Sequence, residues 1–192
     1  MSRIILASSS PYRRELLSRL HLEFDVSSPE IDESRLEGEK PSELVQRLAR
    51  EKANAVAETL LDAIVIGSDQ VAAFGNEILG KPGNLENAVK QLKMISGKRV
   101  TFHTGICVIH TKSALIQTEE VKFAAEFKKL SEEKIRRYLN KEPVFNCAGA
   151  FKSEGLGISL IHRMTGDDPT ALIGLPLIRL TQMLEHIGVE VL

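Results

Sequence analysis

Short apolar runs and longer amphipathic stretches alternate along this chain. The run Ile4–Ala7 predicts a buried strand. Three serines follow, and Pro11 suits the first position of a helix, where its missing N–H would have no partner anyway; a helix over Pro11–Leu20 is predicted. Phe24–Ser28 predicts a short strand, and Pro29–Lys40 a polar, acidic loop. Pro41–Leu61 predicts a long helix whose Val45, Leu48, Ala49 and Val56 form one apolar stripe. Ala63–Ile66 predicts a buried strand ending in Gly67-Ser68-Asp69-Gln70, and Glu77–Leu79 another short strand. Asn84 caps a predicted helix that runs to Ser96 and stops at Gly97. Val100–His110 and Leu115–Phe127 predict a hairpin turning at Lys112–Ser113. A helix from the Ser131 cap to about Asn140, a strand over Gly157–His162 and a helix over Pro176–Ile187, ended by Gly188, complete the pattern. Such alternation favours an α/β fold. No repeat, low-complexity tract or linker divides the chain, so one domain over residues 1–192 is expected.

A few polar residues break the pattern. Arg13 and Arg14 fall in the first turn of a helix, where the dipole already places positive potential. With Ser8, Ser9, Ser10 and free N–H groups beside them, they can collect an anion such as a phosphate chain; equally, the helix can be a capped surface element with arginines in water. Lys52 interrupts the apolar stripe, either as a snorkelling stem or as a cation reaching into a cleft. Asp69 is expected at a strand tip, where it can hold a divalent metal, take a proton from water, or simply form a turn. Lys81 follows Gly80 at the end of a short strand, and Glu30, Asp32 and Glu33 offer carboxylates in a loop.

Composition narrows the choices. The 192 residues are 43% hydrophobic and 27% charged, ordinary for a globular protein with a real core. A net charge of -1 gives no global basic field for nucleic acid and no polybasic segment for a membrane surface. No apolar run approaches the ~20 residues of a membrane span. The first apolar stretch stops at Ala7, too early for a signal peptide, so a cytoplasmic setting is expected. Cys107 and Cys147 lie in apolar contexts without ligand spacing and are expected to be buried thiols. The chain has no GxxxxGK[ST], GxGxxG, GxSxG or HExxH motif, and its five histidines are scattered.

Seven segments in register resemble the Maf family of nucleoside triphosphate pyrophosphatases, also called septum-formation-inhibitor-like proteins. They are Ile4–Leu17 (IILASSSPYRRELL), Leu48–Ala53 (LAREKA), Gly67–Val71 (GSDQV), Gly80–Pro82 (GKP), Ser96–Lys98 (SGK), Ala148–Gly157 (AGAFKSEGLG) and Gly174–Leu177 (GLPL). The resemblance implies an α/β fold: a mixed twisted sheet with flanking helices, two lobes around a central cleft, related to inosine triphosphatases and often dimeric. It implies a cytoplasmic hydrolase that uses a divalent metal (Mg, Mn or Co) to split a nucleoside triphosphate into monophosphate and diphosphate. By the matching motifs Asp69 would be the general base. Ser8, Arg13, Lys52 and Lys81 would bind the phosphates, and Glu33 would stand with Asp69 on the metal side.

Three positions depart from the commonest family pattern. Tyr12 follows Pro11, Gln70 follows the aspartate, and Glu154 lies in Ala150–Gly155 (AFKSEG). The triplet matches the subgroup acting on 7-methyl-GTP rather than the one acting on dTTP and UTP. N7-methylation makes guanine cationic, and stacking on Tyr12 would add a cation–π attraction of ~0.5–2 kcal/mol. Glu154 can accept from the guanine N1–H and 2-amino group, and Gln70 can add an amide hydrogen bond. A pyrimidine pyrophosphatase and a nucleotide-binding regulator of cell division with weak catalysis are the alternatives.

Overall fold

The computed structural model describes residues 2–75 and 77–192. The chain forms two compact units. The first holds residues up to 70 together with 104–121 and 168–192; the second holds 71–103 and 122–167.

In the first unit, strand β1 (Arg3–Ala7) lies between two parallel neighbours, β2 (Asp25–Ser27) and β3 (Ala63–Phe74). Strand β5 (Arg99–His110) follows β3 in the sheet, and β6 (Leu115–Phe127) follows β5, the last two joined by a tight turn at Thr111–Ser113. Side chains alternate along β1 as a strand requires. Ile4 and Leu6 join a core with Leu16 and Leu17 of α1 (Pro11–Ser18) and Leu180, Met183 and Leu184 of α5 (Leu177–His186). Ile5 and Ala7 join Ala49, Ala53 and Val56 of α2 (Pro41–Ala57). Helices therefore bury both faces, which is why β1 reads as an unbroken apolar run.

In the second unit, β4 (Glu77–Leu79) pairs antiparallel with the far end of β3, and β7 (Ile161–Thr165) pairs antiparallel with β6. Helices α3 (Leu85–Ile95) and α4 (Glu132–Lys141) pack on each other. The Phe151 ring lies 5.8 Å from Phe102 and 5.2 Å from Phe127, centroid to centroid. The expected caps form: Asn84 accepts from the Asn87 N–H at 2.9 Å, and Ser131 from that of Lys134 at 3.2 Å. Among the described residues the strands form a mixed seven-stranded sheet with flanking helices, the α/β class expected.

Some boundaries differ from expectation. Helix α1 stops at Ser18 and α2 at Ala57. A 3-10 turn covers Leu156–Leu160, so β7 begins at Ile161 rather than Gly157. The largest difference concerns β3, which does not end before Asp69 but runs on to Phe74. Asp69 therefore lies within a strand, not at its tip. Glycine and aspartate are poor strand formers by themselves, and tertiary contacts override that preference here.

Those contacts begin with Gly67. A Cβ on Gly67 would lie 2.2 Å from the Ala49 carbonyl oxygen and 2.9 Å from the Ala53 nitrogen. One on Gly105, in β5, would lie 2.0 Å from the Val45 oxygen. Helix α2 thus rests directly on sheet backbone at both positions, and Ala49, Ala53 and Ala57 keep its face low. Gly67→Ala should lift the helix and lower stability by about 3 kcal/mol, read as an earlier denaturant midpoint. Gly80→Ala, where no atom lies within 4 Å of an added Cβ and the backbone is outside the left-handed region, should do much less in the same measurement.

Candidate active site

Period-two alternation divides β3 sharply. Gly67 and Asp69 face α2, whereas Ser68 and Gln70 face the segment before α5.

On the α2 side, Lys52 Nζ donates to Asp69 Oδ1 at 2.7 Å and pairs with Glu33 Oε1 at 2.8 Å. Lys52 is 6% exposed and Asp69 7%, while more than half of the Glu33 side chain meets solvent. The lysine in the apolar stripe is therefore no snorkelling stem. It lies inside the protein, shared by two carboxylates. A charge so placed needs such partners, since an unpaired buried ion is strongly unfavourable.

Arg13 stands beside this group. Its Nε donates to the Gly174 carbonyl oxygen at 2.8 Å and its Nη1 to Ser8 Oγ at 3.3 Å. Ser8, 4% exposed, also accepts from the Ser10 N–H at 3.2 Å. Surrounding protein pushes the Arg13 pKa down, and the negative charges of Asp69 and Glu33 oppose that shift. Arginine nevertheless stays cationic. Arg14 points outward and is exposed.

On the opposite side, Gln70 Nε2 donates to the Ala171 oxygen at 2.6 Å and to Thr104 Oγ1 at 3.1 Å. Thr104 Oγ1 itself donates to Ala171 O at 2.8 Å. Ser68 Oγ lies 2.8 Å from the Gly105 oxygen and 2.9 Å from that of Gly174. Gln70 therefore does not share the face of Asp69, and its amide hydrogens are spent inside the protein. Tyr12 is half-buried in α1.

Lys81 and Glu154 belong to the second unit. Lys81 is exposed and lines an open pocket of about 320 Å³ with Lys90, Asn87 and Gln91. The carbonyls on either side of it are held: Gly80 O accepts from Gln91 Nε2 at 3.0 Å, and Pro82 O from Asn87 Nδ2 at 3.0 Å. Glu154 is exposed and accepts from Ser153 Oγ at 3.2 Å.

The structure thus gathers Glu33, Lys52 and Asp69, with Arg13 and Ser8, in one unit. Sequence reasoning missed Ser68, Thr104 and the carbonyls of Ala171 and Gly174. Nothing in a serine, a threonine or a backbone oxygen distinguishes them before the chain folds. Among the described residues no group of three or more His, Cys, Asp or Glu side chains converges. Cys107 is buried, and burial raises its pKa, which makes it a poor nucleophile. Cys147 is only half-buried, contrary to expectation.

Residues 3–187 match the model of the family described as Maf-like protein. The chain belongs to the Maf family. It is 52% identical over 192 residues to a Methylobacillus flagellatus protein named 7-methyl-GTP pyrophosphatase, covering all of both chains. A Pseudomonas aeruginosa protein of the same name is 52% identical over 191 residues, again with full coverage of both. One from Nitrosococcus oceani is 51% identical over 189 residues, 98% of this chain and 95% of that protein. Among solved structures, the Staphylococcus aureus Ham1 protein superposes with a TM-score of 0.58 at 14% identity, over 97% of this chain and 100% of that one. That likeness is one of fold. No helix among the described residues is long and apolar enough to cross a membrane.

In this Maf protein the loop carrying Glu33 is tied to α2 by a second ion pair. Arg47 Nε and Nη2 donate to Glu39 at 2.6 and 2.9 Å, and Nη2 also reaches the Ser34 oxygen at 3.0 Å. The hydrogen bonds from Arg47 hold the Glu39 carboxyl below the ordinary glutamate value of 4.5. A depressed folded-state pKa means that the pair stabilises the protein above the unfolded value and loses that effect as pH falls through the folded one. Glu39→Gln should lower stability by about 2 kcal/mol at neutral pH, with the difference from wild type shrinking below pH 4.5 in denaturant titrations.

Proposed function

We propose that this protein hydrolyses 7-methyl-GTP to 7-methyl-GMP and diphosphate, by attack of water at the α-phosphorus. The observation that carries the reading is the buried Lys52–Asp69 pair with Glu33 on the same ammonium, in a chain half-identical over its whole length to proteins named for this activity. Asp69 is the general base. Lys52 fixes its orientation, which leaves one carboxylate edge to take a proton from the attacking water. Arg13 and Lys81 neutralise the triphosphate, Ser8 adds a hydroxyl, and Lys52 exchanges one carboxylate partner for a phosphate oxygen.

Asp69 and Glu33 are the carboxylates that would hold a divalent cation. Two carboxylates completed by substrate phosphates and water are the donor set that suits Mg²⁺, and Mn²⁺ or Co²⁺ would fit the same oxygens. When bound, such an ion supplies charge neutralisation along the triphosphate. Tyr12 stacks on the cationic base, and Glu154 accepts from its N1–H and 2-amino group. With its amide hydrogens occupied, Gln70 contributes by shaping the wall rather than by donating to the base. Cys107 and Cys147, neither of them in a disulfide, suit a reducing, cytoplasmic setting.

Asp69→Asn should lower diphosphate release from 7-methyl-GTP by about 10²–10⁴-fold with Mg²⁺ present, while nucleotide binding by calorimetry is kept. Equal turnover by wild type and variant would remove Asp69 from the role of base. Glu154→Gln should reduce the preference for 7-methyl-GTP over dTTP and UTP, in ratios of kcat/KM, by about tenfold or more. An unchanged ratio would leave base recognition to other residues.

A further inference from the structure

Asp168 is buried, 2% exposed, and plays no part in the chemistry above. Its Oδ1 accepts from the Thr170 N–H at 3.0 Å and from Thr170 Oγ1 at 2.6 Å. Its Oδ2 accepts from the Ile178 N–H at 2.8 Å and, more weakly, from the Arg179 N–H at 3.4 Å. Thr170 Oγ1 also accepts from the Leu177 N–H at 2.7 Å. The residue before α5 is Pro176, whose side chain cannot cap a helix. Asp168 supplies that cap from eight residues upstream of Pro176, with the charge that a helix N-terminus favours. The same carboxylate caps the 3-10 turn Pro169–Leu172. One side chain thus ties both ends of the segment 168–178.

Two carbonyls inside that segment seat four side chains of the site. Ala171 O accepts from Gln70 and Thr104, and Gly174 O from Arg13 and Ser68. We propose that Asp168 is a positioning residue for the pyrophosphatase reaction: by fixing segment 168–178 through Thr170, it aims the Arg13 guanidinium at the triphosphate. The proposal rests on the reading of Arg13 as a phosphate-binding group. A backbone carbonyl is a seat only as fixed as the loop that carries it, and an arginine displaced by an ångström loses much of its hold on a transferring phosphate.

The test is steady-state kinetics of 7-methyl-GTP hydrolysis by the full chain. Asp168→Asn and Thr170→Val should each raise KM about tenfold or more, and Thr170→Ser, which keeps the bridging hydroxyl, should stay near wild type. In an Arg13→Ala background neither Asp168→Asn nor Thr170→Val should add much, because a residue acting through Arg13 is not additive with its loss. Wild-type KM in folded Asp168→Asn and Thr170→Val, or full additivity with Arg13→Ala, would overturn the proposal. If Asp168→Asn does not fold, the contrast between Thr170→Val and Thr170→Ser decides. An inactive wild type would instead defeat the reading of the activity itself, before any variant is compared.

Discussion

Helix α2 lies on strands β3 and β5 with no side chain between them at Gly67 and Gly105, and the site depends on that contact. Lys52 is three residues beyond Ala49 in the helix, and Asp69 two beyond Gly67 in the strand. The Ala49–Gly67 contact therefore fixes how far the ammonium stands from the carboxylate. A bulkier residue at either glycine would push the helix outward, and a stem of fixed length could not follow. Steric absence thus sets an electrostatic distance. It also explains the run of alanines on α2, since larger residues would prop the helix away from the sheet.

The other face of β3 serves a different purpose with the same economy of reach. Ser68 and Gln70 alternate with Gly67 and Asp69, so one extended stretch presents chemistry to one side and anchors to the other. The anchors are backbone carbonyls of Ala171 and Gly174, and Arg13 reaches one of them as well. Strand β3 can continue through Gly-Ser-Asp-Gln because every polar group in that stretch finds a partner or a reason. The hydroxyl and the amide are bonded, the carboxylate is paired, and the glycine admits the helix.

Charge in the first unit is balanced in a small space. Lys52 and Arg13 face Asp69 and Glu33, with Glu33 the most exposed of the four. A buried set of this kind contributes little to stability on its own, since desolvation offsets most of the attraction. In the proposed reaction its value lies in holding ions of both signs ready for a triphosphate. The Glu39–Arg47 pair supports the same group from outside by tying the loop of Glu33 to α2.

The sequence by itself determined the α/β class, the order of the elements, the caps at Asn84 and Ser131 and the oddity of Lys52. All of these are local: apolar period, turn chemistry, or a charge on the wrong face of a helix. Family membership was legible too, because seven short motifs stood in register. Tertiary structure alone decided that β3 runs through Asp69, that Gln70 turns away from it, and that Asp168 closes the segment before α5. Strand extension past Gly67 depends on a helix some twenty residues earlier in the chain, and no local propensity encodes that contact. The direction of Gln70 depends on carbonyls about a hundred residues later. Such long-range partners exist only once the fold has brought them together, and their identity as backbone atoms leaves no mark in the sequence.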